Sequence, residues 1–406
     1  MFSNVKYKTK KYLIKNFTPL IKKYRRFKIS KTYSENYWNN LYQQSLDLAR
    51  NVEEVPYYDF ISKENGSFND KNSGPGANND LSNYGCGVLE INNTCNIDCL
   101  MCKTSMSKRK KGKMSEDIID KSLDKFQEDN IKTVALHTIG DPLANPKLKI
   151  VLDKMRKRKM FAIITTNGLL LYRHINTLLE YMDVCSQIEI SIDGATKKTY
   201  EKIRAGGSWK ELLDNLNLLN NKLRNKGFRT AIRMVVSKDN YSEIGKHIYL
   251  FKNYVDFPYL DLFYSQINSL TPDNSYYNQV NLLTNHSYLR IHCDQVKMAS
   301  PYILLDGSVS VCCRDYHGDM IIGSIKKNSL KEIRKSSLLK KLQSAHNKGD
   351  VKDYPLCSDC YVSDRRVDMI FDNLVKYIIF KNPNQTASFY QNKINDIVDI
   401  LKLKNN

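Results

Sequence analysis

The sequence predicts an α/β protein: a partial (β/α)6 TIM-like barrel, a small cysteine-rich auxiliary domain after it, and helical N- and C-terminal extensions. Three observations carry that reading. Six short apolar runs alternate with helix-patterned segments between residues 86 and 265, which argues a parallel sheet covered by helices. Six units over roughly 180 residues suit an open barrel better than a complete eightfold one. From about residue 288 to residue 360 that rhythm stops, and Gly, Asp and Cys take over.

In chain order, residues 1–61 read as a basic extension of short amphipathic helical pieces, and 62–85 as a polar, Gly/Asn-rich linker. Barrel strands are predicted at GVLEI (87–91), TVALHT (133–138), FAIITT (161–166), QIEISI (187–192), AIRMVV (231–236) and LDLFY (260–264). Helices are predicted over 115–128, from about 146, over 174–181, through 197–223 and from 241. The barrel domain is assigned 86–270, the auxiliary domain 271–363, and two amphipathic helices 364–406.

The 406 residues carry a net charge of +20, and residues 6–31 hold eleven Lys or Arg with no acid. Such an arm reads first as a solvated face, with contact to an anionic surface or nucleic acid as the alternative. No apolar run approaches the ~20 residues of a membrane span. The N-terminus shows no apolar h-region or cleavage site, so no secretion signal is predicted. Ten cysteines in such a chain imply metal ligands in a reducing compartment, the cytoplasm, rather than disulfides.

Three of them, Cys95, Cys99 and Cys102, fall in TCNIDCLMCKTS. A random scatter of ten cysteines would give this spacing about 0.006 times. A structural zinc site wants four closing ligands. Three thiolates after the first strand, at the mouth of a barrel, suit a [4Fe–4S] cluster with one iron left open.

On these residues the chain resembles the radical S-adenosylmethionine (SAM) enzymes, whose signature is C-x3-C-x2-C after the first strand. TIGDPL (Gly140, Asp141, Pro142) stands where the family has Gly-Glu-Pro. TTNG supplies Asn167, SIDG supplies Ser191 and Asp193, and YEKIRAGGSW supplies Arg204. The resemblance implies that the open iron is chelated by SAM. It implies that the Gly140–Asp141 loop accepts from the SAM ammonium, and that Ser191 and Arg204 hold ribose and carboxylate. Asp141 in place of Glu and Met101 in place of an aromatic depart from the family pattern.

Later in the chain, Cys293, Gly307 and Cys312 resemble the opening of the SPASM module, and PLCSDCY adds Cys357 and Cys360. No cysteine follows Cys360. The resemblance therefore implies a shortened, twitch-like version with one auxiliary [4Fe–4S] cluster on Cys293, Cys312, Cys357 and Cys360. A zinc site on the same thiolates is the alternative.

The function so implied is reductive cleavage of SAM to a 5′-deoxyadenosyl radical, fed by a low-potential donor such as flavodoxin or ferredoxin, and hydrogen abstraction from a substrate C–H bond. Residues 1–85 lack the strand pattern of a winged-helix peptide-binding domain, which places oxidation or epimerisation of a carbohydrate-like small molecule first. Maturation of a ribosomal peptide is the alternative, and a metal-stabilised nucleic-acid-binding protein the non-enzyme reading. Cys86 and Cys185 are assigned to the barrel bottom as buried packing. Cys313 is the spare thiol placed to return hydrogen in an epimerisation.

Overall fold

The structure is a computed structural model. It describes residues 43–45, 86–102, 104–223, 229–237, 239–254, 257–262, 293–358, 374–375, 377–379 and 381–401. Nearly all of the basic extension, the linker and Cys360 lie outside the described residues.

Six strands form the predicted parallel series: β1 (Cys86–Leu89), β2 (Thr133–Ala135), β3 (Phe161–Thr166), β4 (Cys185–Ser191), β5 (Arg229–Val236) and β6 (Phe257–Leu262). Each pairs with the next, as in Val88↔Ala135, Ile163↔Gln187 and Ser191↔Arg233. Cys86 opens β1 and Cys185 opens β4, so both lie at the N-terminal end of the sheet as expected. Burial pushes the Cys185 thiol up to about 12 and the Cys86 thiol up to about 11.

Helices join the strands where sequence caps allow them. Helix α1 (Glu116–Glu128) starts at Ser115, whose side chain accepts from the Ile118 N–H, and it buries Ile119, Leu123 and Phe126. Helices α2 (Leu148–Lys157) and α3 (Leu171–Glu180) follow β2 and β3. The single helix predicted over 197–223 is two, α4 (Lys197–Ile203) and α5 (Trp209–Leu223). Gly206 between them has φ +87°, a conformation that side-chain-bearing residues resist, and this breaks the helix. Helix α6 (Ile244–Phe251) completes the barrel series.

The cysteine-rich segment shares the barrel's sheet. After α7 (Asp294–Met298), β7 (Tyr302–Ile303) pairs parallel with β1 through Val88↔Tyr302 and Leu89↔Ile303. β8 (Ser308–Ser310) and β9 (Ile321–Ser324) then add as antiparallel strands. The nine-stranded order is β6-β5-β4-β3-β2-β1-β7-β8-β9, so β1 is an interior strand rather than an exposed edge. Helices α8 (Leu330–Arg334), α9 (Ser337–Lys348) and α10 (Pro355–Ser358) follow. Arg334 of α8 pairs with Asp129 at the end of α1, both buried, which fastens the segment to the barrel. The C-terminal helix α11 (Ala387–Leu401) packs on α6, where the Gly245 N–H donates to Gln391 Oε1 at 2.9 Å.

Alternation along the strands separates two faces. Leu89, Val134, Leu136, Ala162, Ile164, Ile188, Ile190 and Ile232 enter the large helix-side core. Val88, Ala135 and Tyr302 form a second, small apolar cluster with Cys86, Ile163 and Cys313 on the inner face.

Candidate active site

The loop that leaves β1 carries the three cysteines and is clamped at several points. The Asp98 and Leu100 N–H groups donate to the carbonyls of Ala205 and Ile203, both at 2.9 Å, so the loop rests on the end of α4. The Cys102 N–H donates to the Cys99 carbonyl at 2.9 Å. At the neck of the loop, Asn93 Nδ2 donates to the Lys110 carbonyl at 3.0 Å and its Oδ1 accepts from the Gly112 N–H at 2.8 Å. Asn92 Nδ2 reaches the carbonyls of Thr94 and Asp141, at 2.9 and 3.0 Å. Gly140 has φ +88°, and a Cβ there would lie 2.7 Å from the Thr94 carbonyl oxygen; only glycine lets the two loops touch.

Cys99 is buried, and Cys95 and Cys102 are half-buried. Burial, reinforced by Asp141 and Cys102, pushes Cys95 up to about 11. Burial pushes Cys99 up to about 12, with Cys102 and Cys95 both adding to the rise. The three thiols therefore sit within electrostatic reach of one another. Cys95 and Cys99 are donors that hold their protons until a soft cation displaces them. This donor set fits an iron–sulfur cluster, since each sulfur also has a polar neighbour: Asn167 Nδ2 lies 3.6 Å from Cys95 Sγ, Arg204 Nη1 3.6 Å from Cys99 Sγ, and Thr104 Oγ1 3.0 Å from Cys102 Sγ. None of the nine described cysteines forms a disulfide.

Asp141 is buried, and its carboxylate faces the protein. Oδ1 accepts from the Leu143 N–H at 2.9 Å and from Thr166 Oγ1 at 3.0 Å; Oδ2 accepts from the Asn167 N–H at 2.8 Å. Burial still raises its pKa, against the pull of these donors. Its side chain thus ties the β2 loop to the end of β3, and the main chain is what this loop turns toward the cysteines. Asn167 also donates to Asn96 Oδ1 at 2.8 Å, which holds it over the cysteine loop.

Ser191 ends β4 and is nearly buried. Two residues on, the fully buried Asp193 accepts from Arg204 Nε at 2.6 Å and from the Val235 N–H at 2.8 Å. Burial disfavours the Arg204 charge, but Asp193, Cys99 and Tyr200 outweigh it and hold the guanidinium firmly cationic. The structure thus brings Cys95, Cys99, Cys102, Gly140, Asp141, Asn167, Ser191 and Arg204 to one end of the sheet, the end at which the strands finish.

Of the second set, Cys293 caps α7, Cys312 follows β8 and Cys357 lies in α10, each half-buried against the large core. Cys360 lies outside the described residues. Cys313 turns the other way, onto the inner-face cluster with Val88, Ala135 and Tyr302.

Sequence reasoning missed Glu90, Arg109, His137, Thr165, Glu189 and Arg233. The buried Glu90 accepts from Arg109, Thr138 and the Leu305 N–H. The other four residues face inward, His137 just past the end of β2 and Thr165, Glu189 and Arg233 on β3, β4 and β5. The polar alternation of QIEIS was a visible signal, but a solvent-facing strand reads the same way.

Residues 89–250 match the family model of the radical SAM superfamily, and residues 293–361 match an iron–sulfur cluster-binding domain of the SPASM type. The mycofactocin maturase MftC of Mycobacterium ulcerans is 27% identical over 164 residues, which are 39% of this chain and 42% of the relative. The chain thus spans less than half the length of that relative. A tungsten-containing aldehyde ferredoxin oxidoreductase cofactor-modifying protein of Pyrococcus furiosus is 26% identical over 315 residues, 68% of this chain and 87% of the relative. Among solved structures, native anSMEcpe with bound AdoMet aligns with TM-score 0.52 at 15% identity, covering 77% of this chain and 99% of that one, a likeness of fold. The chain belongs to the radical SAM superfamily and carries a C-terminal SPASM-type domain, so its cofactors are a [4Fe–4S] cluster, SAM and auxiliary iron–sulfur.

Proposed function

We propose that this radical SAM enzyme matures a ribosomally made peptide by taking hydrogen from one of its C–H bonds. The observation that carries the reading is the match of its barrel to mycofactocin maturases. It weighs against the carbohydrate-like substrate that the sequence put first. The Pyrococcus relative, named for modifying a cofactor and matched over more of its length, supports a small-molecule substrate as the second reading.

In this proposal Cys95, Cys99 and Cys102 hold the SAM-binding cluster, and Cys293, Cys312, Cys357 and Cys360 the auxiliary one. When bound, these groups supply the electron and the radical chemistry that cleave SAM. The chain's own residues orient and exclude water. The Gly140–Asp141 main chain and Asn167 border the SAM amino group. Ser191 takes the ribose, and Arg204, kept charged by Asp193, the carboxylate. The Cys313 thiol, turned to the inner face, returns hydrogen if the product is inverted. Lys108, Lys110 and Lys113 are exposed beside the cysteine loop and suit an acidic donor such as flavodoxin or ferredoxin. The barrel is proposed to span 86–270 and the auxiliary domain 271–363. The thiol-rich composition supports a reducing compartment, the cytoplasm.

Anaerobic reduction with SAM, followed by mass spectrometry, tests the chemistry. The wild type should release 5′-deoxyadenosine, and the triple Cys95/Cys99/Cys102→Ala variant should lose both cluster colour and release. Cleavage of SAM by the triple variant would overturn the assignment. A precursor peptide encoded beside the enzyme should change in mass; an unchanged peptide alongside a modified small molecule would replace the peptide reading.

A further inference from the structure

We propose that a row of polar side chains on the inner face of the sheet, His137, Thr165, Glu189 and Arg233, is the substrate-recognition site, and that it takes a neutral amide group in preference to an anion.

The row follows from strand parity. Ala135 and Ile163 belong to the inner-face cluster, and the ladder continues past β2, because the Leu136 N–H donates to the Ile163 carbonyl at 3.0 Å. Leu136 enters the helix-side core, so His137 faces inward with Ala135. On β3 and β4, Thr165 and Glu189 are register partners, and Thr165 Oγ1 donates to Glu189 Oε2 at 3.1 Å. Arg233 of β5 is the register partner of Ser191, and its Nη1 lies 3.8 Å from Glu189 Oε2. All four residues are half-buried, so the row borders open space rather than packed core. Beneath it lies the apolar layer of Val88, Ala135, Ile163 and Cys313.

His137 is the residue this arrangement leaves unfinished. Its Nδ1 is buried and has no hydrogen-bond partner. A buried polar atom without a partner is costly and marks a place where a ligand completes the structure. His247 and Tyr200 also leave a buried atom unpaired, but they sit in helix-side packing against Phe251 and Trp209. Burial, aided by the Arg233 charge, brings the His137 imidazole down to about 4, so it is neutral at pH 7.

Charge selects the ligand class. Glu189 and Arg233 offset one another and His137 is neutral, so the row has no net charge. A phosphate or carboxylate that reached Arg233 would meet the Glu189 carboxylate as well. A neutral amide offers one donor and one acceptor and can satisfy His137 Nδ1 together with either member of the pair. That this amide belongs to a peptide rests on the proposed function; the preference for an amide does not.

Ligand-observed NMR on the cluster-loaded enzyme tests the site without a known substrate. The probes are N-acetylglycinamide, sodium acetate and inorganic phosphate. N-acetylglycinamide should bind at least tenfold more tightly than the other two. His137→Phe should weaken amide binding tenfold or more, and His137→Asn, which keeps a polar atom near the Nδ1 position, should restore most of it. Equal binding of phosphate or acetate would overturn the proposal, as would amide binding unchanged in His137→Phe. Amide binding in an enzyme that modifies no peptide would leave this site standing and remove the peptide reading. Peptide modification by His137→Phe with unchanged KM would do the reverse.

Discussion

Arg109 and Glu90 form a two-pronged ion pair, with Nη1 2.5 Å from Oε2 and Nη2 2.6 Å from Oε1. The same carboxylate accepts from the Leu305 N–H at 3.0 Å and from Thr138 Oγ1. Arg109 Nε and Ser107 Oγ both donate to the Tyr316 carbonyl, at 3.1 and 2.6 Å. One buried acid at the end of β1 therefore gathers the far arm of the cysteine loop, the β2 loop and the segment after β7. The first of these pieces adjoins Cys102 and the last leads to Cys312.

Replacing Glu90 by Gln keeps the shape and removes the charge, which leaves Arg109 without its counter-ion. Breaking a buried pair from one side costs about 3–5 kcal/mol. Chemical denaturation should show that loss, and limited proteolysis should cut earlier within the basic stretch 108–113. A variant as stable and as resistant as the wild type would mean that the clasp is incidental.

The Asp193–Arg204 pair should report on SAM. Asp193→Asn retains an oxygen for the Val235 N–H, so the fold should survive, with the loss of about 3–5 kcal/mol expected when a buried pair is broken from one side. Arg204 would lose the partner that holds its guanidinium beside Cys99. Calorimetric titration of the cluster-loaded variant should show SAM binding weakened tenfold or more. Unchanged affinity would remove Arg204 from the SAM site.

His247 should govern part of the acid response. It is fully buried, its Nε2 lies 3.0 Å from the Ile192 carbonyl, and burial brings its pKa down to about 4. An unfolded histidine titrates near 6.5. Below that value the unfolded chain takes up a proton that the native state refuses, so stability falls as pH drops from about 6.5 and levels off near 4. The full effect is about 3 kcal/mol. Comparing melts at pH 7 and pH 5 for wild type and His247→Gln cancels any acid effect on the clusters. The wild type should lose more stability than the variant. Equal losses would show that His247 carries no proton linkage.

Residues whose signals are local were legible in the sequence. FAIITT reads as a strand and is β3 from Phe161 to Thr166, because β-branched residues at alternating depth suit a half-buried pleat. Ser115 marks the start of α1 because a side-chain oxygen at that place caps the free N–H groups of the first turn. Cys95, Cys99 and Cys102 could be proposed as the ligands of a metal centre from the sequence because ligand type and spacing are covalent facts. So the sequence by itself determined the order of strands and helices, the family and its cofactors.

Tertiary structure alone decided which neighbour each group meets. Nothing near Asp141 says that its carboxylate is taken by Thr166 and Asn167, since those donors arrive from another strand. The helix-breaking role of Gly206 depended on a positive φ that Gly permits but does not impose. The pairing of β7 with β1 joins segments far apart in the chain, and short apolar runs carry no address for a distant partner. The polar alternation of QIEIS was in plain view, yet period two assigns Glu189 to one face without saying whether that face meets solvent or a lumen. The stacking of β2 to β5 settled it, by setting His137, Thr165, Glu189 and Arg233 side by side on the inner face, because a side chain's chemistry depends on the charges and donors that folding brings within reach of it.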